Sequence, residues 1–96
     1  MPSYRVRMVV GMMRAGVDPA TVLPAAADAA REHTTVEASD VEVVRAVPRL
    51  TVRYEALDDL TASTVGRAVV DRVQELVDVE ASRVTRRYGA RWYPLR

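Results

Sequence analysis

Arg5 and Arg7 alternate with apolar residues in YRVRMVV, and Arg49 and Arg53 do the same in RLTVRY. Successive side chains of an extended chain point to opposite faces, so each run sets its arginines on one side and its Val, Leu, Met and Tyr on the other. A planar guanidinium grips carboxylate or phosphate oxygens through paired N–H donors. These arginines, with Arg83 and Arg87 in the same phase of a later run, are therefore candidates to hold an anion or a single-stranded nucleic acid. An RNA-reading sheet also needs outward aromatics, whereas Tyr4 and Tyr54 fall on the apolar side.

Further residues with possible chemistry are few. GMMRAG (11–16) places Arg14 between two glycines ahead of a helix start, where anions can bind, but it lacks the Gly-Lys-Ser/Thr ending of a P-loop. His33, the single histidine, falls at an expected helix end and suits the last carbonyls better than a ligand role. Asp58 and Asp59 read as helix caps rather than a metal-binding pair. The C-terminal stretch YGARWYPLR carries Tyr88, Arg91, Trp92, Tyr93 and Leu95, types that dominate protein interfaces. The same stretch could instead fold back over an edge strand and blunt it. With no cysteine, thiolate metal sites, thiol nucleophiles and disulfides are excluded. No catalytic, cofactor or metal motif is present, and a non-enzymatic domain without cofactor or metal is expected.

The elements that must position these residues follow from periodicity. The first strand runs from Tyr4 to Val10. Asp18-Pro19 signals a helix start, with Val22, Leu23, Ala26, Ala27 and Ala30 as its apolar stripe and the regular helix expected from Pro24. Thr35 to Ala46 reads as a second strand with a change of phase near Ser39-Asp40, the mark of a bend or bulge. Pro48 is taken as the hairpin turn into a third strand. Asp58-Asp59 open a second helix with Ala62, Val65, Val69, Val73 and Leu76 on one side, interrupted by Gly66. A fourth strand spans about Asp78 to Tyr88.

TVEASDV (35–41) and DVEASRV (78–84) agree at five of seven positions, 43 residues apart. The same offset superposes first strand on third and first helix on second, which reads as a duplicated βαβ unit with halves near 4–46 and 49–88. Two such units joined by a hairpin give βαββαβ, an α+β ferredoxin-like two-layer sandwich. Its antiparallel four-stranded sheet would have order 4-1-3-2, with both helices on one face. The expected domain is 1–88, with 89–96 as a tail, and the expected core is Tyr4, Val6, Met8, Val10, Val41, Val43, Leu50, Val52 and Tyr54. Acylphosphatases share this fold and use an arginine in the loop that Arg14 occupies, but they also need an asparagine, and this chain has none.

Net charge is +1, from 14 arginines against 13 acidic residues, so no chain-wide attraction to polyanions follows. The Arg-, Ala- and Val-rich bias reads as a GC-rich bacterial genome. Without a signal-like segment or a long apolar run, a cytoplasmic location without membrane contact is expected. This superfold hosts many functions. The favoured reading is a protein-interaction or oligomerisation domain, a homodimer or partner-bound subunit using the open sheet face and the aromatic tail. The alternatives are an anion or single-stranded nucleic-acid binder through Arg5, Arg7, Arg49 and Arg53, and a small-molecule α+β barrel dimer.

Overall fold

Alternation of Tyr4, Val6, Met8 and Val10 with charged neighbours builds β1 (Ser3–Met13), one side of which is buried from Tyr4 to Val10. The structure, a computed structural model, describes residues 1–95. The other elements are α1 (Val22–Arg31), β2 (Val36–Val44), β3 (Val47–Glu55), α2 (Asp59–Gln74), β4 (Val77–Tyr88) and β5 (Arg91–Pro94). The fold is α+β, with two helices and one antiparallel sheet in the order β2-β3-β1-β4-β5. The expectation of four strands is corrected to five. Gly89, at φ 60°, turns the chain so that residues 91–94 pair back on β4 and belong to the sheet.

The core forms where both helices meet the apolar side of β1 and β3. Val22, Ala26 and Ala30 of α1 and Ala62, Val65, Val69 and Val73 of α2 close over Val6, Met8, Leu50, Val52 and the two tyrosines. Each fully buried valine contributes roughly 1.5–3 kcal/mol. Asp18 caps a short 3-10 turn (Pro19–Thr21) by accepting the Ala20 N–H at 3.0 Å. The regular helix begins at Val22, not Pro24, because Pro24 lies in the first turn, where N–H groups have no intrahelical acceptor to lose. Asp58 caps α2, accepting the Thr61 N–H at 2.8 Å. A Cβ on Gly66 would lie 2.6 Å from Val84 Cγ2 and 3.2 Å from the Tyr54 hydroxyl. Glycine there lets α2 settle onto the sheet.

Two expectations about the β2–β3 hairpin are corrected. The reversal is at Arg45-Ala46, both at positive φ (52° and 66°), with Val44 facing Val47 across a two-residue turn. Such turns need left-handed residues because only that twist matches the strands. Pro48 instead lies within β3, one residue past Val9–Arg49, the last β1–β3 pair, so its missing N–H breaks no bond to β1. Val41 and Val43, expected in the core, are 56% and 65% exposed. They point to the helix side of an edge strand, at a stretch that α1 leaves exposed.

Phase changes occur at bulges. Val36 faces Tyr54 and Ala38 faces Arg53, leaving Glu37 unpaired; Val79 faces Val10 and Ala81 faces Val9, leaving Glu80 unpaired. Both VEAS segments thus place their glutamate as the extra residue of a bulge. The phase change expected at Ser39-Asp40 therefore comes two residues earlier. The Glu80 carboxylate of the second bulge folds over Gly11. Among the described residues no helix is long and apolar enough to cross a membrane.

Candidate functional site

The register of three strands assembles the arginines on the sheet face away from the helices. Arg5 lies opposite Arg53 on β3 and Thr85 on β4; Arg7 lies opposite Thr51 and Arg83; Val9 lies opposite Arg49 and Ala81. Two directly opposed like-charge pairs, Arg5–Arg53 and Arg7–Arg83, therefore stand side by side, an arrangement that destabilises a bare sheet. Arg7 Nε donates to Thr51 Oγ1 at 3.4 Å. Arg53 donates from Nε to Glu37 Oε1 at 3.0 Å, a carboxylate brought within reach by its bulge. Among the described residues, Arg5, Arg7, Arg49 and Arg83 have no carboxylate within ion-pair distance. Burial holds the pKa of Arg5 below its ordinary value; Arg7 and Arg53 push the same way, while Asp40 and Glu42 oppose them.

Strand β5 adds what the first three strands lack. Its pairing sets Trp92 opposite Arg87 and Pro94 opposite Thr85, on the arginine face. The indole reaches back across β4, with the guanidinium carbon of Arg5 4.5 Å and that of Arg53 5.5 Å from the ring centre. Arginine over an indole face is an attractive contact even between half-exposed groups. A concavity of about 420 Å³ lies in front, walled by Arg7, Arg49, Arg83, Thr85, Trp92 and Pro94. Among the described residues, Arg49 Nε and Thr85 Oγ1 are buried without a hydrogen-bond partner, and both belong to residues lining that space. Convergent N–H and O–H donors beside an aromatic ring can hold phosphate or carboxylate oxygens and stack a planar group.

No protein-family model, curated protein or solved structure matches this chain. What the face does must be read from its own chemistry.

The remaining candidate residues lie elsewhere. Arg14 is spent on the end of α2: its guanidinium donates to the Gln74 carbonyl at 2.9 and 3.2 Å and pairs with Asp78, and its backbone N–H donates to the Leu76 carbonyl at 2.9 Å. Tyr88 and Tyr93 meet edge to face, with ring centres 5.7 Å apart, on the opposite side of the β4–β5 hairpin from Trp92. Leu95 packs against the core and Arg91 is exposed. His33 lies exposed just beyond α1.

A second polar cluster was not foreseen from the sequence. The Tyr4 hydroxyl donates to Asp59 Oδ1 at 2.7 Å, and Arg86 bonds the same oxygen at 3.0 Å while lying over the Tyr88 ring at 4.9 Å. Asp59 is thus a tie between α2, β1 and β4, not a second cap. The Tyr4–Asp59 contact spans 55 residues, so local spacing carried no sign of it. Trp92 on the arginine face had one faint sign, Gly89-Ala90 as a two-residue turn that could send the chain back along β4.

Proposed function

We propose that this chain is a ferredoxin-like domain made of two duplicated βαβ halves, with β5 appended, and that it acts by binding rather than catalysis. Its open sheet face holds the phosphate groups of an anionic ligand. The observation behind this is the Arg5–Arg53 and Arg7–Arg83 opposition beside the unpartnered Arg49 Nε. Directly opposed like charges destabilise a bare sheet, and an anion seated between the guanidiniums turns that repulsion into shared attraction.

Thermal unfolding in dilute buffer with added tripolyphosphate tests this. The midpoint should rise with ligand concentration, as it does for any ligand that binds only the folded state, and the rise should fade as salt screens the face. Arg83→Ala separates charge relief from generic damage. It should leave the free protein at least as stable, since it removes one opposed like-charge pair, while shrinking the response to tripolyphosphate. A variant that responds as strongly as the parent would contradict the proposal.

The layout of charge favours one second reading. Ala38 to Glu42 of β2 put Asp40 and Glu42 on the same face, opposite Thr51 and Arg49, with the bulged Glu37 at one end. Acidic and basic strips therefore run side by side. A second copy turned face to face could lay its carboxylates on these arginines, making the protein a homodimer through this surface. An apolar chamber for a small molecule between two such faces, as in α+β barrels, gains no support from a lining of arginines.

A further inference from the structure

We infer that the ligand of the arginine face is single-stranded nucleic acid, its bases stacking on Trp92; this rests on the phosphate-binding reading above and names its ligand class. A compact inorganic anion would use the guanidiniums alone. The concavity, however, is bounded on one side by Trp92 and Pro94 and floored by Val9 and Ala81, apolar groups that reward a planar apolar moiety attached to the phosphate. Trp92 is the single tryptophan of the chain and is only partly buried, so a base can stack on the indole by sharing it with, or displacing, the Arg5 and Arg53 guanidiniums that lie over it.

Spacing agrees. Arg5 and Arg7 lie two residues apart on one face of a strand, roughly 6.6 Å along it, and Arg49 and Arg53 flank Thr51 on the neighbouring strand as Arg83 and Arg87 flank Thr85. Three rows of cations at such intervals suit the regularly recurring phosphates of an extended strand. A duplex would offer the phosphates but not the bases, whose faces are hidden in the stack, leaving Trp92 without a partner. Thr51 and Thr85 hydroxyls suit a ribose or a phosphate equally, so the surface does not discriminate RNA from DNA. Asp40 and Glu42 border the basic field on the β2 side and keep a polyanion to the β1, β4 and Trp92 side.

Trp92 fluorescence provides the test on the full chain at low salt. Four ligands are titrated: a ten-residue oligo-dT, a ten-residue oligo-U, an abasic oligomer of the same length, and a polyglutamate peptide. Both base-bearing oligomers should quench the emission and bind at least about fivefold more tightly than the abasic one, the lower bound for one base on one aromatic ring. Affinity should fall with log salt at a slope of roughly −3, as expected for about four contacted phosphates. Trp92→Phe, which removes the single tryptophan and is therefore followed by the anisotropy of a dye-labelled oligomer, should keep most of the preference for bases, and Trp92→Ala should lose it. Equal binding of abasic and base-bearing oligomers would overturn the inference and leave phosphate binding standing. Binding of none of the oligomers would overturn both. Preference for polyglutamate would overturn it in favour of an acidic protein partner.

Discussion

Asp59 and Tyr4 show how much a single hydrogen bond sets at the residue scale. The Tyr4 hydroxyl first, and Arg86 next, hold the Asp59 carboxyl below its ordinary pKa. The folded state therefore binds that proton less readily than the unfolded chain. The stabilisation is complete above the unfolded value of about 3.9 and is lost as pH falls through it toward the folded value. Tyr4 runs the other way: burial first, then Asp59, push its pKa up to about 12. Its contribution is whole below about pH 10 and is lost as pH rises toward 12. Burial, and then Tyr4, also raise Tyr54, whose hydroxyl donates to the Ala62 carbonyl at 2.7 Å. In an absorbance titration of phenolate, two of the four tyrosines should ionise only along with alkaline unfolding. Asp59→Asn should lower the Tyr4 value and remove part of the acid-side loss of stability. Ionisation of all four tyrosines near pH 10 in a still-folded protein would contradict this.

At the scale of elements, α2 lies where it does because Gly66 has no side chain. Gly66→Ala gains about 1 kcal/mol of helix propensity, yet its methyl meets Val84 Cγ2 and the Tyr54 hydroxyl. Overpacking of this kind costs roughly 1–3 kcal/mol. The variant should be less stable in urea unfolding, and adding Val84→Ala should recover most of the loss; a stabilised single variant would mean that the contact yields freely. The sequence made β1, β3 and the inner stripes of both helices legible, since each has one face covered along its length and so writes a clean period. It misled at β2, because alternation tells which way Val41 and Val43 point but not whether a helix lies above them. The Arg45-Ala46 turn was hidden by its residue types, as two-residue hairpins usually advertise themselves with Asn or Gly, and Pro48 drew the expectation instead. The arginine face was legible in Arg5, Arg7, Arg49 and Arg53, but its aromatic wall was not. Four residues of β5 are too few for a period to stand out, and their pairing with β4 depends on the turn at Gly89.

For the whole molecule, a net charge of +1 conceals a face divided into an acidic strip on β2 and a basic field on β1, β3 and β4. That division decides between ligand binding and self-pairing. Asp40→Asn with Glu42→Gln removes two charges that repel a polyanion and, under the homodimer reading, two that clasp the partner. Oligonucleotide affinity should rise severalfold at low salt, with the mass in light scattering unchanged. A dimer that dissociates in this variant would favour self-pairing. The most direct measurement follows the Nε–H signals of the arginine side chains by NMR while tripolyphosphate is added. Arg49, with its buried unpartnered Nε, and Arg7 should shift strongly and exchange more slowly with water, while Arg14, already held by Gln74 and Asp78, should stay in place. Equal small shifts at all of them, or none, would contradict the claim that this face is built to receive phosphate.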